Sequence, residues 1–179
     1  GLARKAAIDL RLVNPKFADD PGSKTNRVVN DVAKLWEDTR GTSGTQLIFS
    51  NLYRSHDPKQ RWLNEDLHLP NPLYGQPVFH LLDDLKRKLI ARGVPESEIA
   101  DFTTMTEAQR TAAAEQLNAG KIRIAFGTTE SLGTGLNVQN KIVAIHHVDP
   151  QFRPMDFEQR NGRGVRQGNE NPKIHVFVY

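Results

Sequence analysis

The spacing of apolar residues changes along the chain, and each spacing predicts an element. Val28, Val29, Val32, Leu35 and Trp36 recur every three or four residues among polar neighbours. That is the period of a helix buried on one side, so a helix is predicted from about Asn26 to Thr39, ahead of Gly41 and Gly44. Leu81, Leu82, Leu85 and Leu89 draw a second stripe on a helix from Phe79 to Ala91, which Gly93 and Pro95 stop. Thr106 and Gln109 hold the positions of a capping box for a third helix reaching Leu117, with Gly120 beyond its end. Gln46 to Ser50 and Ile99 to Phe102 are short apolar runs that suit strands. Ile122 to Phe126, Ile142 to Val148 and Ile174 to Val178 are rich in Ile and Val and apolar nearly throughout, the pattern of strands covered by helices on both faces. Strands alternating with helices predict a parallel, doubly wound α/β sheet.

The remaining segments read as connections. Residues 1–24 join a helical phrase, Ala3 to Leu12, to a turn-rich stretch with Pro15, Asp19, Asp20, Pro21 and Gly22, and are expected to form a surface extension before a domain spanning 25–179. Residues 51–76 carry Pro58, Pro70, Asn71, Pro72 and Gly75 without sustained periodicity, which predicts a long loop or insertion. The chain begins at Gly1 and ends at Tyr179 directly after a strand-like run, so it is expected to be a piece of a larger protein.

Composition narrows the chemistry by exclusion. With no cysteine, the chain has no disulfide framework, Cys-ligated zinc, iron-sulfur cluster or thiol nucleophile, and it fits a reducing, cytoplasmic setting. His56, His68, His80, His146, His147 and His175 have no ligand spacing of the HExxH kind, so no metal site is expected. No apolar run approaches the roughly 20 residues of a membrane helix. A net charge of +3 from 24 basic and 21 acidic residues does not by itself indicate a nucleic-acid binder, so the placement of the charges must decide.

Two segments carry candidate chemistry. Thr128, Thr129, Glu130, Ser131, Leu132, Gly133, Thr134, Gly135, Leu136 and Asn137 follow a predicted strand, where open α/β sheets place ligand loops. Its glycines allow backbone amides to approach a phosphate or a neighbouring domain, although GTGLNV lacks the third glycine of a dinucleotide fingerprint. The second segment runs Gln159, Arg160, Asn161, Gly162, Arg163, Gly164, Val165, Arg166, Gln167, Gly168. If helical, it puts Gln159, Arg163 and Arg166 near one face, and arginine's planar fork suits a phosphate. Elsewhere the plainer readings prevail. His146 and His147 are expected as one packed and one hydrogen-bonded ring, Trp36 as core, and Asp149 and Arg153 as a structural turn around Pro150 and Pro154. Trp62, beside Lys59 and Arg61, is the better aromatic candidate for a nucleic-acid contact.

QLIFS, the TTESLGTGLN loop and QRNGRGVRQG resemble, in order and spacing, motifs IV, V and VI of superfamily 2 helicases and translocases, with the GxGLN and RxxRQG forms most similar to the Snf-type DNA translocases. The phrases RKAAIDLRLV and NVQNKIVAIHHVDPQFRPMDFEQRNGRGVRQGNEN further resemble bacterial, phage and plasmid proteins that join a helicase to an adenine-specific DNA methylase region. The resemblance implies the second of two RecA-like lobes, a three-layer domain of the P-loop NTPase type with a mainly parallel sheet, and makes residues 1–24 the linker from the preceding lobe. It implies Arg163 and Arg166 as arginine fingers on the γ-phosphate of ATP, and Gln159, Arg160, Gly135 and Asn137 as nucleotide-binding. Ser50, Asn51, Thr128, Thr129 and Gly133 would face a DNA backbone without reading sequence. ATP and Mg2+ would be held mainly by the N-terminal lobe of the same parent chain, because this sequence has no GxxxxGK[ST] loop and no DExH or DExD sequence. It would therefore be inactive alone. The alternative is a catalytically inactive RecA-like scaffold that binds protein or nucleic acid.

Overall fold

The apolar runs become the strands of one parallel sheet. The computed structural model of the chain describes residues 1–133, 135–149, 154–165 and 167–179. Its strands are β1 (Thr45–Phe49), β4 (Ile99–Asp101), β5 (Ile124–Gly127), β6 (Ile142–His147) and β7 (His175–Val178), in the order β4-β5-β1-β6-β7. All four pairings are parallel, and Phe49 stands opposite Gly127 on one side and His147 on the other, so the three central strands end level. In the insertion, β2 (Trp62–Asn64) and β3 (Leu69–Pro70) form a small antiparallel pair. There Trp62 stands edge-on to His68 at 5.6 Å, with the Arg61 guanidinium 5.4 Å over its ring.

Two-residue alternation sorts the strand side chains into two cores. On one face Ile48, Ile124 and Phe126 meet α1 (Leu2–Ile8), α2 (Lys24–Asp38) and α3 (Leu81–Ala91) through Ile8, Val28, Val32, Leu82 and Leu85. On the other, Leu47, Phe49 and Ala125 meet α4 (Glu107–Asn118) and α5 (Thr129–Gly133) through Ala113, Leu117 and Leu132. All five residues of β1 are thus buried, three of them apolar, because helices cover both sides. The expected capping box forms at Thr106 and Gln109.

Three expectations are corrected. Residues 1–24 are not only a surface connection: Ile8 and Leu12 are core residues, and the helical phrase breaks at Asp9, which turns extended and accepts the Arg11 amide. Arg11 is buried and bonds Asp9 (2.7 Å) and Asp84 of α3 (3.0 Å). Burial pushes the Asp9 and Asp84 carboxyls up, but the hydrogen bonds from Arg11 to Asp9 and the close Lys88 and Arg87 charges on Asp84 hold both net below the usual range. Second, β7 is not covered on both faces. It is the sheet edge, and Val178 is 62% exposed. Third, His146 and His147 are both packed and both hydrogen-bonded.

His146 sits in a polar chain through the core. Gln46 Nε2 donates to the Val32 carbonyl (2.9 Å), which leaves its Oε1 to accept from His146 Nε2 (2.9 Å), and His146 Nδ1 lies 2.8 Å from the Tyr179 hydroxyl. Burial, reinforced by His147 and His175, lowers the His146 pKa to about 3. At the opposite edge of the same layer Arg123 is buried and donates to the carbonyls of Trp36 (2.6 Å) and Gly44 (3.2 Å) and to Thr39 Oγ1 (3.0 Å). It ties the end of α2 to β5, beneath Trp36, whose indole N–H donates to Glu98 (2.6 Å).

Two outcomes are expected. Between pH 6.5 and about 3 the unfolded chain binds a proton at His146 that the folded one refuses, so stability is complete above that window and drains as pH falls through it. Unfolding free energies at pH 7 and pH 5 should fall by up to about 1.4 kcal/mol per pH unit for that histidine, and His146→Gln should flatten the slope; an unchanged slope would assign the acid lability elsewhere. Arg123→Met removes the donor from two buried carbonyls, and denaturant titration is expected to show a loss of about 2–4 kcal/mol; a loss below about 0.5 kcal/mol would mean that those carbonyls do not depend on it.

Candidate functional site

Because β1, β5 and β6 end together, the three loops that follow them emerge side by side. The ladder extends one residue further, with the Ser50 amide on the Gly127 carbonyl (3.0 Å) and the Val148 amide on the Phe49 carbonyl (3.1 Å). Gly127 is required here, since a Cβ would stand 2.5 Å from that of Leu132 and push α5 off the strand. Beyond it, Thr128 and Ser131 bond reciprocally, Ser131 Oγ accepting the Thr128 amide (2.9 Å) and Thr128 Oγ1 accepting the Ser131 amide (3.0 Å), which starts α5.

A closed ring of hydrogen bonds joins these loops to α6 (Pro154–Asn161). The Thr129 amide donates to Asn51 Oδ1 (3.0 Å), and Asn51 Nδ2 reaches Thr129 Oγ1 (3.4 Å). Arg160 Nε donates to the same Thr129 Oγ1 (2.9 Å), and its Nη1 to Asp149 Oδ1 (3.4 Å). Asp149 Oδ2 in turn accepts the Asn51 backbone amide (2.9 Å). Asp149 and Arg160 are both 0% exposed, and the guanidinium lies 5.0 Å over the Phe49 ring. A buried ion pair of this kind persists only where further hydrogen bonds satisfy it, and Asn51 and Thr129 supply them.

The glycine loop stands beside this ring. Gly135 has φ +71 and open space where a side chain would be, so its backbone is accessible to a ligand or another domain. Arg163 Nη1 donates to the Leu136 carbonyl at 2.5 Å, which sets the turn after α6 directly on the glycine loop. Asn137 is exposed, and its carbonyl is held by Asn118 Nδ2 at 2.7 Å. Gln159 is exposed on α6, flanked on the same crest by the exposed apolar side chains of Met155 and Val165.

The expected site residues therefore separate. Asn51, Thr129 and Arg160 come together, and Arg163 meets the loop of Gly135, Leu136 and Asn137. Thr128 is turned to Ser131, and Gly133 closes α5. Ser50 cannot face a nucleic-acid backbone, because its side chain is buried at the end of β1. Arg160 is enclosed in the ring, not presented to a nucleotide. The helix ends at Asn161, so Arg163 does not share a helical face with Gln159; it lies in the following turn, 4% exposed. Arg166 and Arg153 lie outside the described residues. Asp149 is the residue whose importance the sequence reading understated, and the signal was there in an acid placed at the end of an apolar strand, before Pro150. Among the described residues no cluster of three His, Asp or Glu side chains suited to a metal ion forms, and no helix is long and apolar enough to cross a membrane.

Residues 80–168, just under half of the chain, match the family model of the helicase conserved C-terminal domain. No curated protein matches the chain in sequence. Among solved structures, the C-terminal part of the Fun30 ATPase domain superposes with a TM-score of 0.56 at 16% identity, over 92% of this chain and 44% of that one. The Pyrococcus furiosus Hef helicase domain superposes with a TM-score of 0.51 at 13% identity, over 95% of this chain and 28% of that one. The chain thus spans less than half of either. Taken with the five-stranded parallel sheet and its two helical layers, these matches give the chain the three-layer, RecA-like fold of a helicase C-terminal lobe.

Proposed function

We propose that this chain is the C-terminal lobe of a superfamily 2, Snf-type, ATP-dependent DNA helicase or translocase, working with an N-terminal RecA-like lobe of the same parent chain. The observation that carries the reading is the contact of Arg163 with the Leu136 carbonyl, which sets an arginine against the glycine loop on the crest of the sheet. The donors around it, the Arg163 guanidinium, the Gln159 amide and the open Gly135 backbone, suit phosphate oxygens. By the sequence resemblance, the nucleotide and Mg2+ would be held mainly by the other lobe. When bound, ATP and Mg2+ supply the phosphoryl group and the charge that the arginines stabilise.

The same geometry gives a reason for dependence on the partner lobe. An arginine that is 4% exposed and bonded to a carbonyl reaches a phosphate only after it turns outward. Closure of the cleft between lobes is the motion that would bring this about. Asn51 and Thr129 lie on the crest next to that cleft, where they would contact a sugar-phosphate backbone without reading bases. Cytoplasmic location, and a methylase region elsewhere in the parent chain, belong to the same proposal and follow from the sequence resemblance.

The parent chain carrying both lobes is expected to hydrolyse ATP faster with DNA present, with DNA affinity falling as salt rises. Arg163→Ala should lower kcat by about 100-fold or more in a chain that is still folded by circular dichroism, and the isolated lobe should show no turnover. Full turnover in Arg163→Ala would remove this arginine from catalysis. A parent chain that binds DNA or protein but never hydrolyses ATP would establish the scaffold reading instead.

A further inference from the structure

His147 is used by none of the groups above, yet the Arg163 turn rests on it. The ring lies at the end of β6, 1% exposed, with Phe157 of α6 stacked at 4.5 Å and Phe49 of β1 at 6.2 Å. Its Nε2 is 2.8 Å from Asn161 Oδ1. An amide oxygen only accepts, so the ring is the donor, and the tautomer is Nε2–H with a bare Nδ1 that has no hydrogen-bond partner among the described residues. The reverse tautomer would bury an N–H without an acceptor, at greater cost. Burial is the main reason that the ring stays neutral; the neighbouring Arg160 charge acts in the same direction, while the Asn161 bond and Asp149 oppose without prevailing.

Asn161 is the pivot between the sheet and the turn. It is the last residue of α6, and its carbonyl accepts from the amides of Gly164 (3.0 Å) and Val165 (3.3 Å), which closes the turn around Arg163. Its side chain is held to β6 by His147. With glycines on both sides of Arg163, the turn has little stiffness of its own, and two side chains place it: Asn161 on its incoming side and Asn169, whose Nδ2 donates to the Gly164 carbonyl (2.9 Å), on its outgoing side.

We propose that His147 is a positioning residue for ATP hydrolysis, fixing through its Nε2–H bond to Asn161 the turn from which Arg163 acts. The inference rests on the proposed role of Arg163. His147 touches no reacting atom, and its effect passes through the geometry of the turn, where small displacements of a charge-stabilising group carry large rate costs.

The test uses the parent chain with both lobes and measures kcat, KM for ATP and the unfolding midpoint together. His147→Phe keeps the stacking on Phe49 and Phe157 but removes the donor, and is expected to lower kcat about tenfold with KM changed less than about twofold. His147→Gln, which carries an amide N–H of similar reach, is expected to recover most of the loss. Asn161→Ala should reproduce the His147→Phe defect, and the double variant should lose no more than either single one, the mark of one shared interaction. Wild-type kcat in His147→Phe, equal loss in the Phe and Gln variants, or additive losses in the double variant would each overturn the proposal. If His147→Phe fails to fold, Asn161→Ala alone decides: wild-type kcat there overturns the proposal, and a tenfold loss at constant KM upholds it. Arg163→Ala, run in parallel, separates the two levels: full activity there sinks the catalytic reading itself, whereas an inactive Arg163→Ala beside a fully active His147→Phe sinks only the role of His147.

Discussion

Two opposite charges, Asp149 and Arg160, are shut away from water where the central strands end. Removing a carboxylate and a guanidinium from water costs several kcal/mol each, and their attraction offsets this only when the remaining hydrogen-bonding capacity is met. Asn51 and Thr129 meet part of it from two other loops, so the charges cannot be satisfied unless the ends of β1, β5, β6 and α6 occupy one arrangement. The requirement is local, but it fixes the floor of the crest on which Arg163, Gln159 and the glycine loop stand.

The buried polar groups fall into three sets at different places in the fold. The Asp149 ring lies at the carboxyl ends of the strands. Gln46 and His146 span the α2 face, joining Val32 to the end of β7. Arg123 closes the opposite end, where α2 gives way to β1. Each set bonds groups that are distant in sequence, so each works as a registration device, and together they let a five-stranded sheet hold its loops in place at both ends. Rigidity below the crest and glycine-rich chain upon it would suit the proposed role, in which arginines are presented to a moving partner.

Much of this was legible before any coordinates. The helical stripes gave α2, α3 and α4 to within two residues, and the Thr106 capping box formed as its spacing predicts. The uninterrupted apolar runs gave the strands, because a strand covered on both faces has no polar side to show. The pattern misled where the neighbourhood, not the run itself, decides burial. His175–Val178 reads like a central strand but has a strand on one side only. Residues 1–24 look like a connection because Pro15, Pro21 and Gly22 dominate the view, while Ile8 and Leu12 are too few to draw a stripe, yet they fill the core beside α3.

For the site, residue order sets which chemical groups are available: paired arginines after an apolar strand, a glycine loop after another, and no GxxxxGK[ST], DExH or DExD sequence. Tertiary structure alone decided their duties. It buried Ser50, spent Arg160 on Asp149, laid Arg163 against the Leu136 carbonyl and put His147 under Asn161. The reason is that partners such as Asn51 and Asp149, 98 residues apart, meet only when parallel strands bring their carboxyl ends level, and no local spacing encodes which side chains the sheet will set face to face.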